Sequence, residues 1–165
     1  MKSSKKLLKN SKKAGITTGA YHFMSFESPG VDQAKNYIKT VPKEKDSLPP
    51  VVDFEYYGKF EKNHPSQETV DKILKPLLKK LKDHYGKDPI IYVNSNMYKK
   101  YISGKYKNRI WLADLKAPKK LPDGRSWEFL QYSFNSKLTK YAGGIPHLDL
   151  NVFRGSRFSF AAKYL

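Results

Sequence analysis

The chain has 165 residues, 39% apolar and 14% aromatic, with only 10 Gly and 10 Pro, the composition of one globular domain (1–165) able to bury a core; disordered and collagen-like classes are excluded. Its 32 Lys and Arg against 15 Asp and Glu give a formal charge of +17, a field that attracts nucleic acid, an anionic membrane surface or an anionic bacterial wall without choosing among them. The absence of cysteine excludes disulfides and thiolate metal sites, and no apolar run approaches the roughly 18 residues of a membrane span.

The N-terminal "MKSSKKLLKN" has the basic start of a signal peptide, but Leu7 and Leu8 are followed by Lys9 and Asn10 instead of an apolar stretch, so no export signal is visible. Short runs rich in Val, Ile and aromatics then predict strands at 19–23 (GAYHF), 49–55 (PPVVDFE), 89–94 (PIIYVN), 109–115 (RIWLADL), 128–133 (EFLQYS) and 148–153 (LDLNVF). Between the first two, Ala34, Tyr37, Ile38 and Val41 recur at helical spacing. Ser66 is placed to cap a second helix whose stripe runs Val70, Ile73, Leu74, Leu77, Leu78, Leu81 and Tyr85, with a kink expected near Lys72 because Pro76 lacks an amide donor. Lys79, Lys80 and Lys82 read as its wet face. Met97, Tyr98, Tyr101 and Ile102, between Ser95 and Gly104, predict a third, shorter helix. Beyond Leu115, "KAPKKLPDGRSW" and "FNSKLTKYAGGIPH" read as loops, and the last strands are expected to pair through hairpin-like connections. Strands alternating with helices make this an α/β chain.

The strand at 49–55 ends in "VVDFE". Residues two apart on a strand face the same side, about 6.6 to 6.8 Å apart, so Asp53 and Glu55 share one space, at the strand end where parallel α/β folds build their sites. Two carboxylates at that range can separate in pKa, one ionised and one holding a proton, which is what cleavage of a glycosidic bond requires. The alternative is a pair of solvated acids balanced by neighbouring lysines. Tyr21, Tyr56, Tyr57, Tyr92, Trp111 and Tyr132 crowd the same strand ends, as a rim on which sugar rings stack or as core. His22, His64, His84 and His147 show no metal-ligand spacing, and no cofactor or metal is implied.

Taken together, "AGITTGAYHF", "LPPVVDFE", "PIIYVN", "RIWLADL", "EFLQYS" and "GGIPHLDLNVF" resemble the family 25 glycoside hydrolases, from about Ala14 to Phe153. The resemblance implies a (β/α)-barrel-like fold, a TIM-barrel relative with helix-poor C-terminal strands. It implies a lysozyme, an N-acetylmuramidase of the endolysin kind, that cleaves the β-1,4 bond between N-acetylmuramic acid and N-acetylglucosamine in peptidoglycan, outside the cell or at the wall. By the same resemblance Glu55 is the general acid/base and Asp53 the partner that stabilises the 2-acetamido group or the developing positive ring. Asp149 falls on a late acidic position, with capping of its loop beside Asn151 as the alternative. Tyr21, Tyr92 and Gln131 fall on cleft-lining positions, and Trp111 and Asp114 on the W-x-A-D stretch, where Leu115 replaces the usual Tyr. His22 matches too, although a strand His among apolar neighbours is more often a hydrogen-bonded core residue.

The family's opening D-x-S-x-x-x-G strand and its following strand have no counterpart, so a barrel missing its first two strands is expected, with exposed edges open to self-association and with reduced or no activity. Two other readings stay open: a non-catalytic module binding wall glycan or nucleic acid through charge, and a chitinase-like glycosidase, which would want a D-x-x-D-x-D-x-E run that residues 46–55 lack. No recognisable nucleic-acid motif accompanies the scattered lysines.

Overall fold

A computed structural model of the chain describes residues 2–136 and 148–165. Six strands form one sheet in strict chain order: β1 (Tyr21–Phe23), β2 (Val51–Asp53), β3 (Ile90–Asn94), β4 (Ile110–Ala113), β5 (Phe129–Ser136) and β6 (Leu148–Phe153). The first five are mutually parallel and β6 returns antiparallel to β5. The sheet curls into a half-barrel whose edges, among the described residues, are β1 and β6.

Among the described residues five α-helices accompany it: α1 (Lys2–Lys13), α2 (Gly30–Thr40), α3 (Gln67–Tyr85), the short α4 (Ser95–Met97) and α5 (Arg157–Tyr164). The Ser66 side chain caps α3 by accepting from the Thr69 amide at 3.1 Å, and Gly86 ends it in the left-handed region at φ 69°, a conformation glycine adopts without strain. The helix runs through Pro76 as one element. The carbonyl that a proline deprives of a partner belongs to the residue four back, here Lys72, which is exposed, so the loss falls on the wet side. Lys79 and Lys82 are exposed on that side and pair with Asp83 and Asp88.

Alternation along the strands sorts the two faces. Val52, Phe54, Ile91, Val93, Ile110, Leu112 and Leu130 point outward and are buried against Ala34 and Tyr37 of α2 and the whole apolar stripe of α3. That is the hydrophobic core. α2 and α3 meet closely at Gly30, where a Cβ would stand 1.9 Å from the Ile73 carbonyl oxygen, so only glycine fits.

Three expectations need correction. The third helix begins under an Asn94 cap, not after Ser95, and after one turn widens into a π-helical segment (Tyr98–Ile102) that buries Tyr98, Tyr101 and Ile102. β4 and β5 are parallel, so only β5 and β6 pair in the hairpin sense. The β4–β5 crossover carries no helix; Leu121 buried in the core and the Trp127 indole donating to the Pro118 carbonyl at 2.7 Å pin it instead. β5 runs to Ser136, past the expected loop start at Phe134, and residues 137–147 of that loop, His147 among them, lie outside the described residues.

α5 has no counterpart among the expected elements. Its Phe160 and Tyr164 join Phe129 and Phe153 in a ring cluster with centroids 5.2 to 6.5 Å apart. This cluster lines a cavity of about 320 Å³ beneath Trp111, on the inner side of the sheet.

Candidate active site

Because Val52 and Phe54 are both wholly buried under the helices, the residues alternating with them, Asp53 and Glu55, turn to the concave side. Register extends this side into rows. Phe23, Asp53, Tyr92, Trp111, Phe129 and Phe153 are consecutive partners across the sheet. Nearer the strands' carboxyl ends, Asn94, Ala113, Gln131 and Asn151 form the next row, the level that Glu55 reaches just past the end of β2.

The concave side is therefore acidic at β2 and aromatic to the right of it. Tyr92 and Trp111 meet edge to face with centroids 5.6 Å apart. The Tyr92 hydroxyl donates to Gln131 Oε1 at 3.0 Å, and Trp111 Nε1 donates to Asn151 Oδ1 at 2.9 Å. Asn151, which the reading of the sequence did not select, was legible as the residue two positions from Asp149 on the same face of a strand.

Burial, and then the charge of Glu55, push the Asp53 carboxyl up to about 7. Burial, and then Asp149, raise Glu55 as well. Asp53 Oδ1 is buried without a hydrogen-bond partner among the described residues, although a buried polar atom ordinarily has one. Asp149 stands exposed on β6, near enough to act electrostatically on both Glu55 and Tyr92. Burial and these three acids raise the Tyr92 phenol, keeping it neutral. Asp53 and Glu55 thus share a partly buried space that disfavours their charged forms, and Asp53 keeps its proton up to about neutral pH, so the pair can hold a proton beside a negative charge.

The structure thus brings Asp53, Glu55, Asp149, Tyr92, Trp111 and Gln131 to one side. Asp114 sits at the end of β4 with its two oxygens taken by Ser95 Oγ and the Lys116 amide, where it shapes the loop that carries exposed Leu115. Tyr21 faces the same side but one row lower, opposite Val51, and is 68% exposed at the β1 edge; Phe23 is the β1 residue level with Asp53. Two expected rim residues are engaged by neighbouring side chains. Tyr56 stacks on His64 at 4.2 Å and donates to the Tyr101 hydroxyl, while Tyr57 stacks on Phe26 and its hydroxyl accepts from the Phe26 amide. Tyr57 also meets Phe23 of the concave face edge-on at 5.6 Å. His22 lies on the helical side, donating to Gln33 Oε1 at 2.8 Å. No group of three or more His, Asp or Glu among the described residues is arranged to hold a metal ion, and no described helix is long and apolar enough to cross a membrane.

Fold and site together define a barrel-like α/β protein with its acids at the carboxyl ends of parallel strands. Residues 2–140 match the family model for glycosyl hydrolases family 25. A family 25 glycosyl hydrolase from Bacillus anthracis is 39% identical and superposes with a TM-score of 0.90 over 98% of this chain and 75% of that one. A bacterial lysozyme from Streptomyces coelicolor, 22% identical, shares the fold with a TM-score of 0.76 over 95% of this chain and 76% of that one. The uncharacterized protein YegX of Escherichia coli K12 is 30% identical over 148 residues, covering 88% of this chain and 51% of YegX; the chain spans about half the length of the curated relatives it matches. The chain belongs to glycosyl hydrolases family 25.

Proposed function

We propose that the chain is a peptidoglycan-cleaving lysozyme that hydrolyses the β-1,4 bond between N-acetylmuramic acid and N-acetylglucosamine. Glu55 is the general acid/base. Asp53 stabilises the 2-acetamido group or the positive charge that develops on the sugar ring, and Asp149 completes the acidic wall. Tyr92, Trp111 and Gln131 line the cleft, with Tyr21 and Asp114 at its margins. The observation that carries this reading is the Asp53–Glu55 pair on the concave face, Asp53 raised by burial and the charge of Glu55 and Glu55 by burial and the charge of Asp149, with one buried Asp53 oxygen free to accept from a substrate amide. The +17 charge draws the protein to the anionic wall, where it acts.

The test is release of new reducing ends from purified peptidoglycan by the chain alone. Release that disappears in Glu55→Gln supports the reading; release untouched by that change overturns the assignment. A second reading, glycan binding without cleavage, is favoured by the open β1 edge beside the acids, where Tyr21 and Phe23 stand 68% and 43% exposed. It predicts retention on peptidoglycan with no reducing ends released.

A further inference from the structure

Glu55 stands where the sheet no longer holds the chain. The last backbone bond from the sheet to this segment is the Phe54 amide donating to the Tyr92 carbonyl at 2.9 Å, and the next along the chain closes the turn from Tyr57 to Phe60 at 3.0 Å. Between them, among the described residues, neither Glu55 nor Tyr56 makes a backbone hydrogen bond, and no side-chain bond holds the Glu55 carboxyl. The carboxyl therefore stands wherever residues 55–57 are held, and the two phenols that follow Glu55 hold them. Successive side chains of an extended segment leave on opposite sides, and Tyr57 is extended, at φ −152° and ψ 151°, so the two phenols anchor in different elements. The Tyr56 hydroxyl donates to the Tyr101 hydroxyl at 2.9 Å, which in turn donates to the Pro65 carbonyl at 2.8 Å; Tyr101 is wholly buried on the π-helical segment. The Tyr57 hydroxyl accepts from the Phe26 amide at 3.0 Å and bonds Ser25 Oγ at 3.1 Å.

We propose that Tyr56 and Tyr57 are positioning residues: their hydroxyls, one tied to the π-helical segment and one to the loop after β1, clamp residues 55–57 from two sides and so set where the Glu55 carboxyl stands relative to Asp53. Gln33, buried on α2, backs the second anchor. The Ser25 amide donates to Gln33 Oε1 at 2.9 Å and the Ser25 carbonyl accepts from Gln33 Nε2 at 2.8 Å, so the loop that receives Tyr57 is itself fixed at both backbone groups of Ser25. The rings pack separately from the hydroxyls. Tyr56 stacks on His64 with centroids 4.2 Å apart, and Tyr57 on Phe26 at 5.8 Å. Replacing either residue by Phe keeps the stack and removes only the anchor.

The inference rests on the proposed function for what Glu55 does, and its first readout needs no turnover. Backbone ¹⁵N relaxation of the full chain gives the order parameter at Glu55, about 0.85 for a rigid backbone and under about 0.6 for a flexible one. In Tyr56→Phe/Tyr57→Phe, Glu55 is expected to pass from the rigid to the flexible value while Val52, inside β2, keeps the rigid one. An unchanged Glu55, or an equal fall at Val52, overturns the proposal. On soluble peptidoglycan fragments each single variant is expected to lower kcat by about tenfold at unchanged KM, since a displacement of about 1 Å costs about 10²-fold; an unchanged kcat beside a loosened Glu55 overturns the positioning role. Should the double variant not fold, Ser25→Ala removes one of the two partners of the Tyr57 hydroxyl: a fall in order confined to residues 55–57 supports the proposal, and an unaltered value overturns it. A chain that releases no reducing ends yet loosens at Glu55 as expected leaves the clamp standing while the proposed activity fails.

Discussion

Trp111 and Asn151 join strands that are not neighbours: the indole donates to the carboxamide at 2.9 Å from β4, across β5, to β6. Tyr92 and Gln131 do the same from β3 across β4 to β5. These two side-chain bridges tie the parallel part of the sheet, which carries Asp53 and Glu55, to the antiparallel hairpin that carries Asp149. Asn151→Ala is expected to reduce stability by about 1 kcal/mol, the usual net value of one hydrogen bond, and to weaken the coupling between Glu55 and Asp149. Urea unfolding and the ¹³C titration of Glu55 read the two effects separately.

The pH dependence of stability follows from Asp53. Its folded pKa, about 7, lies above its ordinary value of 3.8, so between those values the folded state binds more protons than the unfolded one. Stability must then fall as pH rises through that window. Asp53→Asn removes the term. Its melting temperature relative to the parent is expected to climb from pH 4 to pH 8, and a constant difference across that range would contradict the raised pKa.

Removing a general acid ordinarily costs about 10² to 10⁴ in rate. Glu55→Gln is expected to lose at least that factor in reducing-end release while still sedimenting with peptidoglycan. Loss of both together would mean that Glu55 serves binding or folding instead.

Gly30→Ala is expected to cost about 1 to 3 kcal/mol, the range for overpacking, since its Cβ would collide with the Ile73 carbonyl oxygen and force α2 off α3. Equilibrium urea melts measure it. A neutral result would show that the two helices can separate slightly without loss.

The +17 charge sets a fifth expectation. Binding to purified walls should weaken as ionic strength rises, because exposed charges are screened beyond about 8 Å at 0.15 M salt. Oligonucleotides of different sequence should bind alike and weakly at that salt. Tight, sequence-selective binding measured by competition would overturn the assignment of the charge to the wall.

All six strands were legible because each is a short apolar or alternating run, and Ser66 and the stripe from Val70 to Tyr85 announced α3 before its packing was known. Alternation alone put Asp53 and Glu55 on one face. What stayed hidden depends on contacts distant in sequence. Nothing local in "KAPKKLPDGRSW" says that it carries the chain over to make β5 parallel to β4; that is decided by Leu121 and Trp127 docking elsewhere. Tyr56 and Tyr57 have the composition of a sugar-stacking rim, yet Phe26, His64 and Tyr101 claim them. α5 is mostly exposed outside Tyr164, and a helix anchored by so few residues leaves a weak periodic signal.

The strict chain order of the strands has a consequence for how the protein is made. Among the described residues each strand pairs only with its neighbours in sequence, so a growing chain can add these strands one at a time to an edge that already exists, with little loop entropy lost at each step. β2, with Asp53 at its end, is enclosed as soon as β3 docks, whereas Asp149 and the carboxamide that holds Trp111 arrive only with β6. On this order the acidic cluster is the last part of the described sheet to come together, complete only when β6 turns back against β5.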